Sequence, residues 1–208
     1  MYDYSGDLTN KSDVGTYSYN PGTHQVASIA GTVNGVTNPT FSYDANGNLT
    51  SEDGVSTTWS SYNMATSLTR GTATDTFQYG PEHERVEEVA TTSTSSVTTY
   101  YANASFEMVV NATTGVTEYH NYINAGSRRV AMLIDSTNGT TSWRYFQQDH
   151  LGSVEVVTDQ TGTLVERLSY DAWGRRRNTN GSDSSTFITA LDDRGYTDQE
   201  ELDSIGLI

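Results

Sequence analysis

Asp149, His150 and Ser153 are the residue types of a hydrolase triad, and all three fall within five residues. An extended segment sends Asp149 and His150 to opposite faces, however. The trio therefore reads as a strand entry, with His150 bonded to backbone and Gly152 letting another chain pass close. Asp44-x-Asn46-x-Asn48 has the opening of a calcium loop. An EF-hand needs glycine at the sixth position and an acid at the twelfth, where this chain has Leu49 and Val55, so a turn is the better reading. Glu87-Glu88 and Asp192-Asp193 could be posed as glycosidase acids, but neighbours on a strand face opposite ways, which favours a solvated edge. His24, His83, His120 and His150 are scattered without metal-ligand spacing. Arg128-Arg129 and Arg175-Arg176-Arg177 are expected to pair with neighbouring carboxylates rather than hold phosphate. No catalytic residue, cofactor or metal site is expected.

The elements that carry these residues are strands and turns. From Asp149 to Ser153 and on to Tyr170-Asp171-Ala172-Trp173-Gly174-Arg175, the pattern is strand, turn, strand. Val154, Val156 and Thr158 alternate on one side of Asp159-Gln160-Thr161-Gly162; Leu164, Leu168 and Tyr170 return on the other. Alternation on both sides of an Asp/Gly turn predicts a β-hairpin.

The hairpin has copies. Tyr2-Asp3-Tyr4-Ser5-Gly6-Asp7-Leu8-Thr9 aligns without gaps with Tyr43-Asp44-Ala45-Asn46-Gly47-Asn48-Leu49-Thr50, and Tyr170–Gly174 repeats the first half. In this motif Tyr ends a strand, Asp bonds the amides just ahead, Gly supplies a positive φ and Leu restarts the strand. Phe77-Gln78-Tyr79-Gly80 is a degenerate copy, and Ala90–Thr99 is a hairpin tip or polar strand. Between 106 and 174 a 24-residue period places Asn111, Asp135 and Asp159 at turns. It aligns Phe106/Met108/Val110, Val130/Met132/Ile134 and Val154/Val156/Thr158, and puts Tyr122, Phe146 and Tyr170 in one column. Such a period means stacked hairpins that share a sheet. The next step falls on Asp183, in a polar loop. In the tail, Thr197 or Asp198 is expected to cap a short helical turn before Ile205.

Composition agrees. Apolar residues are 34%, and 14 Tyr, 5 Phe and 3 Trp must supply much of the core on sheet surfaces. A net charge of -15 argues against nucleic acid or an anionic membrane as partner. Without cysteine there is no disulfide and no thiolate chemistry. No apolar run approaches the roughly 18 residues of a membrane span. Met1-Tyr2-Asp3 begins no signal peptide.

The Tyr-Asp-x-x-Gly motifs at Tyr2, Tyr43 and Tyr170 resemble the YD repeats of Rhs (rearrangement hotspot) proteins. The block Asp149-His150-Leu151-Gly152-Ser153, Thr158-Asp159, Gly162 and Tyr170–Arg177 is similar to the Rhs-associated core. Gly195-Tyr196-Thr197, Glu200, Leu202-Asp203 and Gly206-Leu207 follow in that family's order. The likeness runs from about residue 100 to the end, with looser repeats before it. It implies a shell of wound hairpins enclosing a C-terminal toxin, an Asp-containing cleavage motif downstream, and export as a bacterial effector, often by type VI secretion or within insecticidal toxin complexes. Asp198-Gln199 stands where the family usually has Gly-His, and the chain reaches Ile208 before the cleavage motif, so the tail turn and the autoproteolysis are both in doubt.

The expected fold is all-β: consecutive antiparallel hairpins in a curved sheet or arc of shell, with a short C-terminal turn or helix. Residues 1–194 form the array and 195–208 its tail. The expected role is a structural, non-enzymatic part of an Rhs-type toxin, whose partners are further repeats and the toxin. Open strand edges would favour self-association. The residues expected to shape turns and packing are Tyr43, Asp44, Gly47, Asp149, His150, Gly152, Asp159, Gly162, Tyr170, Asp171, Trp173 and Gly174, with Tyr43, Tyr122, Phe146, Tyr170 and Trp173 on the inner face. A sugar-binding module using surface rings is the alternative, and an aspartyl peptidase a third.

Overall fold

The computed structural model describes residues 1–33, 35–178, 180–182, 184 and 194–207; the expected turn acid Asp183, the Asp192-Asp193 pair and Ile208 lie outside them. The chain forms two compact units, Met1–Thr72 and Ala73–Ile208, both built from antiparallel strands.

In the first unit, β1 (Asn10–Lys11), β2 (Gly15–Tyr19), β3 (Val26–Val33) and β4 (Val36–Thr37) form a sheet in chain order. β5 (Ser42–Tyr43), β6 (Leu49–Glu52), β7 (Val55–Trp59) and β8 (Ala65–Arg70) then pair each with the next. Gly15 and Gly31 sit opposite each other, and a Cβ on either would run into the other strand's backbone. Aromatic residues at strand ends tie their strands to segments earlier in the chain. Tyr19 donates to the Leu8 carbonyl at 2.9 Å, Tyr43 to Val26 at 3.1 Å, and the Trp59 indole to Leu49 at 2.8 Å.

The second unit is one continuous meander. It runs through β9 (Ala73–Tyr79), β10 (Arg85–Thr91), β11 (Ser96–Asn103), β12 (Phe106–Asn111), β13 (Val116–Ala125), β14 (Arg128–Ser136), β15 (Thr141–Gln148), β16 (Val154–Thr158) and β17 (Leu164–Arg167). Its core is Tyr122, Met132, Ile134, Phe146, Val154, Val157 and Leu168, with Tyr170 packed against it. Bulges interrupt the ladder at Arg85/Glu87, Tyr101/Asn103, Ile123/Asn124 and Gln147/Gln148. A bulge adds a residue to one strand and re-aims the side chains beside it.

One turn recurs in both units. Asp3, Asp44, Asp149, Asp159 and Asp171 each accept, through one carboxylate oxygen, the amides two and four residues ahead at 2.7–3.0 Å. The glycine at the fourth position has φ near +90° in every copy and donates to the aspartate carbonyl. Asp149-x-x-Gly152 and Asp159-x-x-Gly162 are thus the same device as the Tyr-Asp motif, which the sequence reading had not joined to them. At Ser60 a hydroxyl and Asn63 (φ +63°) stand in for the acid and the glycine.

Three expectations need correction. The 24-residue columns share a face only in part: Tyr122 and Phe146 lie in one core with Tyr170 packed against it, but Met108 pairs with Tyr119, whereas Met132 pairs with Tyr122, on the opposite side of β13. β12 buries Glu107 instead of Phe106 and Met108, because polar partners across the face satisfy that carboxylate. Asp135 is a strand residue bonded to the Thr141 hydroxyl at 2.8 Å, and Ser136–Gly139 make the turn. Trp173 is 81% exposed rather than on the inner face: it sits at the tip of the Asp171 turn, where its amide is used by the carboxylate.

Candidate tail-docking site

Residues 194–207 lie across the buried face of the second unit's sheet. The segment folds into two tight turns, closed by the bridges Arg194–Glu200 and Leu202–Leu207. Tyr196–Asp198 forms one 3-10 turn whose N-cap is Gly195, without a side-chain cap. Thr197 and Asp198 therefore lie inside the turn expected to be capped by one of them, and both adopt a left-handed backbone (φ +50° and +60°). Two hydrogen bonds stitch the tail to β16 and its entry: the Val154 amide to the Gly195 carbonyl at 3.0 Å, and the Thr197 amide to Ser153 Oγ at 3.1 Å. Ser153 is 1% exposed and serves as this anchor. His150 is exposed at the turn, so Asp149, His150 and Ser153 are not assembled as a triad.

From β16 the tail crosses strands whose bulges bring arginines and acids to the same face. Arg129 pairs with Asp198, and its guanidinium lies 4.8 Å from the Tyr122 ring centroid and 5.0 Å from that of Phe146. Arg194 reaches Glu107 at 2.8 Å, and Tyr122 donates to the same carboxylate at 2.8 Å. Arg85 bridges Glu88 at 2.7 Å and Glu200 at 2.8 Å over the Phe77 ring. Tyr101 Oη lies 2.9 Å from Glu88 and also contacts Glu200. Arg176 holds Glu201 at 2.5 Å and Asp203 at 3.2 Å. On β9, buried Asp75 accepts from Ser204 Oγ at 2.6 and 2.7 Å to its two oxygens. Ile205 closes the contact at 1% exposure.

Charged groups brought out of water need such partners, because an uncompensated buried charge is strongly destabilising. Burial, with Glu200 beside it, pushes the Glu88 carboxyl up to about 7 against the opposing pull of Arg85 and Tyr101. Burial likewise raises Asp75, Glu201 and Asp203. Among the described residues no cluster of His, Asp and Glu has metal-binding geometry.

Beyond the tail the same face opens into a groove of about 930 Å³. Its floor includes Val97, Val109 and Val116, and its walls include Asp75, Glu107 and Asp203. The described residues contain no helix long and apolar enough to cross a membrane.

The sequence-derived residues fall elsewhere. Tyr43 and Asp44 with Gly47 build a turn of the first unit. Asp149, Gly152, Asp159, Gly162, Asp171 and Gly174 build turns of the second. Tyr170 and Tyr122 reach the docked tail, the Tyr170 ring 5.7 Å from that of Tyr196 and the Tyr122 ring 5.9 Å from the Arg194 guanidinium. Arg176 and Arg129 were seen as basic clusters that find carboxylates, and they do, across 27 and 69 positions. Glu88 is not on the expected solvated edge; it is buried, on a strand flanked by β9 and β11. Glu200 belongs to the tail pattern that resembles the Rhs-associated core, whereas Arg85, Tyr101 and Glu107 carry no sequence signal beyond their place in alternating strands.

No protein-family model matches the chain. Over 151 residues, 71% of its length, it is 27% identical to the tRNA3(Ser)-specific nuclease WapA of Bacillus spizizenii and 27% identical to the tRNA nuclease WapA of Bacillus subtilis. It spans 6% of the length of each relative. In three dimensions it is similar to part of the TcdB2–TccC3 crystal structure, with a TM-score of 0.62 and 12% identity, over 91% of this chain and 11% of that one. It is also similar to part of a Photorhabdus luminescens Tc holotoxin pore bearing a TccC3 mutation, at 0.61 and 14%, over 89% and 11%. The chain shares its β-hairpin fold with a stretch of these Tc toxin assemblies.

Proposed function

We propose that the chain is a length of hairpin wall from an exported Rhs-type toxin, structural rather than catalytic, and clamped by its own tail. The observation that carries this is the tail itself. A segment joined through Arg–carboxylate pairs to β10, β12 and β14, and through the Ser204 hydroxyl to Asp75 of β9, fixes the relative positions of strands that otherwise touch only their neighbours. The Tyr-Asp motifs, the similarity to the WapA nucleases and the fold shared with TcdB2–TccC3 support the same reading. In it, further repeats extend the sheet and a toxin lies downstream. Limited proteolysis of the native gene product, followed by mass spectrometry, tests it. Polypeptide C-terminal to this segment is expected to survive inside a protected shell. A native product that ends at Ile208, or a downstream part cut as fast as denatured protein, overturns it.

A second reading rests on the opposite face of the same sheet. There Phe106 stacks on Tyr119 (6.4 Å, 16°) and Trp143 on Tyr145 (6.0 Å, 15°), with Tyr119 and Tyr145 partly exposed. Flat exposed rings can stack on sugars. Binding to a glycan panel that disappears in Tyr119→Ala and Tyr145→Ala would place this reading first; an empty panel removes it.

A further inference from the structure

We propose that the tail is a proton-gated latch: residues 196–207 close on the sheet when Glu88 holds a proton beside Tyr101 and Glu200, and loosen when that proton is lost. The docking surface holds seven carboxylates, Asp75, Glu88, Glu107, Asp198, Glu200, Glu201 and Asp203, against the guanidiniums of Arg85, Arg129, Arg176 and Arg194. The surplus is concentrated at one place. Arg85 is shared between Glu88 and Glu200, and both carboxylates also contact the Tyr101 hydroxyl. A phenol carries one proton. It can satisfy one of the two acids, and the second oxygen–oxygen contact is a hydrogen bond only if a carboxyl brings a proton of its own.

Among the described residues, the other groups that face Glu88 add no further positive charge. On its own strand stands Arg85, already shared; Glu87 faces the other way and meets Gln78. From β9 come Phe77, directly opposite, and Asp75, a further acid engaged by Ser204. From β11 come Thr99, directly opposite, and Tyr101. On β12, Glu107 is held by Tyr122 and Arg194. The tail contributes Glu200. Arg176 is taken by Glu201 and Asp203, and Arg129 by Asp198.

The direction follows by linkage. Burial and Glu200 raise Glu88 from 4.5 to about 7 in the docked form. Undocking removes Glu200 and part of the burial, so the acid returns toward its ordinary value. The docked form therefore binds the proton more tightly, and docking strengthens as pH falls from above 7 toward 4.5, levelling off below. If the undocked value is fully ordinary, the gain between pH 8.5 and 5.5 is about 30-fold. Burial raises Asp75, Glu201 and Asp203 as well, which acts in the same direction at lower pH.

Amide hydrogen exchange on the whole chain reads this directly. The Val154 and Thr197 amides bond to partners across the docking contact. Their protection, each rate divided by the chemical exchange rate at the same pH, is expected to rise by up to about 30-fold from pH 8.5 to 5.5. The Tyr122 amide, bonded to Ser105 within the array, serves as the control and should stay flat. Glu88→Gln mimics the protonated acid and is expected to hold high protection at every pH. Glu200→Gln, on the tail, removes the like charge that helps to raise Glu88, so it should make the slope shallower, and it carries the test if the buried substitution does not fold. Flat protection in the unaltered chain overturns the latch. So does a pH slope that persists in Glu88→Gln, a slope in Glu200→Gln as steep as the original's, or flat but low protection in folded Glu88→Gln, which would show that two charged acids hold the tail.

Discussion

Arg129, its side chain 4% exposed, is ion-paired with Asp198, 69 positions further along the chain, while Tyr122 and Phe146 lie against its guanidinium. The pair joins β14 to the tail, and its setting decides its worth. Exposed ion pairs contribute little, but a buried cation stripped of its partner, or an acid stripped of its cation, is costly.

Arg129→Ala should therefore destabilise the second unit by about 3 kcal/mol, the range seen when one partner of a buried pair is removed. Arg129→Lys should restore only part of that, because an ammonium cannot lie flat against both rings while meeting a carboxylate. Denaturant unfolding of the two variants beside the unaltered chain measures both. An Arg129→Ala chain as stable as the original would mean that Asp198 is solvated and the pair incidental.

How much of this was legible beforehand follows from range. The strands, the Asp-x-x-Gly turns and the order of the hairpins are written within about ten residues, and alternation with glycine spacing exposes them. Which face of β12 is buried is not written there. Phe106 and Met108 look like core residues and Glu107 does not, until Tyr122 from β13 and Arg194 from the tail satisfy it. The 24-residue period holds as a hairpin period and puts Tyr122, Phe146 and Tyr170 on one core, but it assigns the wrong face to β12. The docking site escaped for the same reason: Arg85 and Glu200 are 115 positions apart, and only the folded sheet brings them together.

The turn aspartates set an acid limit. The hydroxyl and amide of Thr161 with the amide of Thr163 hold Asp159 below the usual carboxylate range, and the Asn48 side chain does the same for Asp44. At Asp149, burial opposes ionisation, but the Ser153 and Leu151 amides outweigh it and the carboxyl is again lowered. A lowered folded-state value means stability that is fully present above the unfolded value, near 3.9, and lost as pH falls through the folded one. Carboxyl carbon shifts followed by NMR should show these three titrating below pH 3.8, with unfolding in the same range. Asp159→Asn should keep the turn and lose most of the pH dependence it contributes. Midpoints at or above 4 for all three would refute the capping role.

Trp173 separates resemblance from packing. It belongs to the motif Tyr170-Asp171-Ala172-Trp173-Gly174, yet its ring is 81% exposed. Trp173→Ala should change stability by no more than about 0.5 kcal/mol, as for surface substitutions generally. A much larger loss in thermal unfolding would require the ring to be covered in solution, by a second copy or by further repeats.

Gly195 shows how closely the tail approaches the sheet. Its backbone is not left-handed (φ -125°), so the need for glycine is one of space. A Cβ here would collide with the Glu201 carboxylate and the Tyr170 hydroxyl. Glu201 is fixed by Arg176, which also holds Asp203, and Tyr170 packs against the core, so neither neighbour can yield cheaply. Gly195→Ala should lift the tail while leaving the hairpins intact. Brief digestion with trypsin, which cuts after Arg194, should then cleave the variant at least tenfold faster, a factor that corresponds to about 1.4 kcal/mol of lost docking. Equal cleavage of variant and original, at unchanged circular dichroism, would mean that Tyr170 and Glu201 yield to the added methyl and that the close approach at Gly195 does not limit docking.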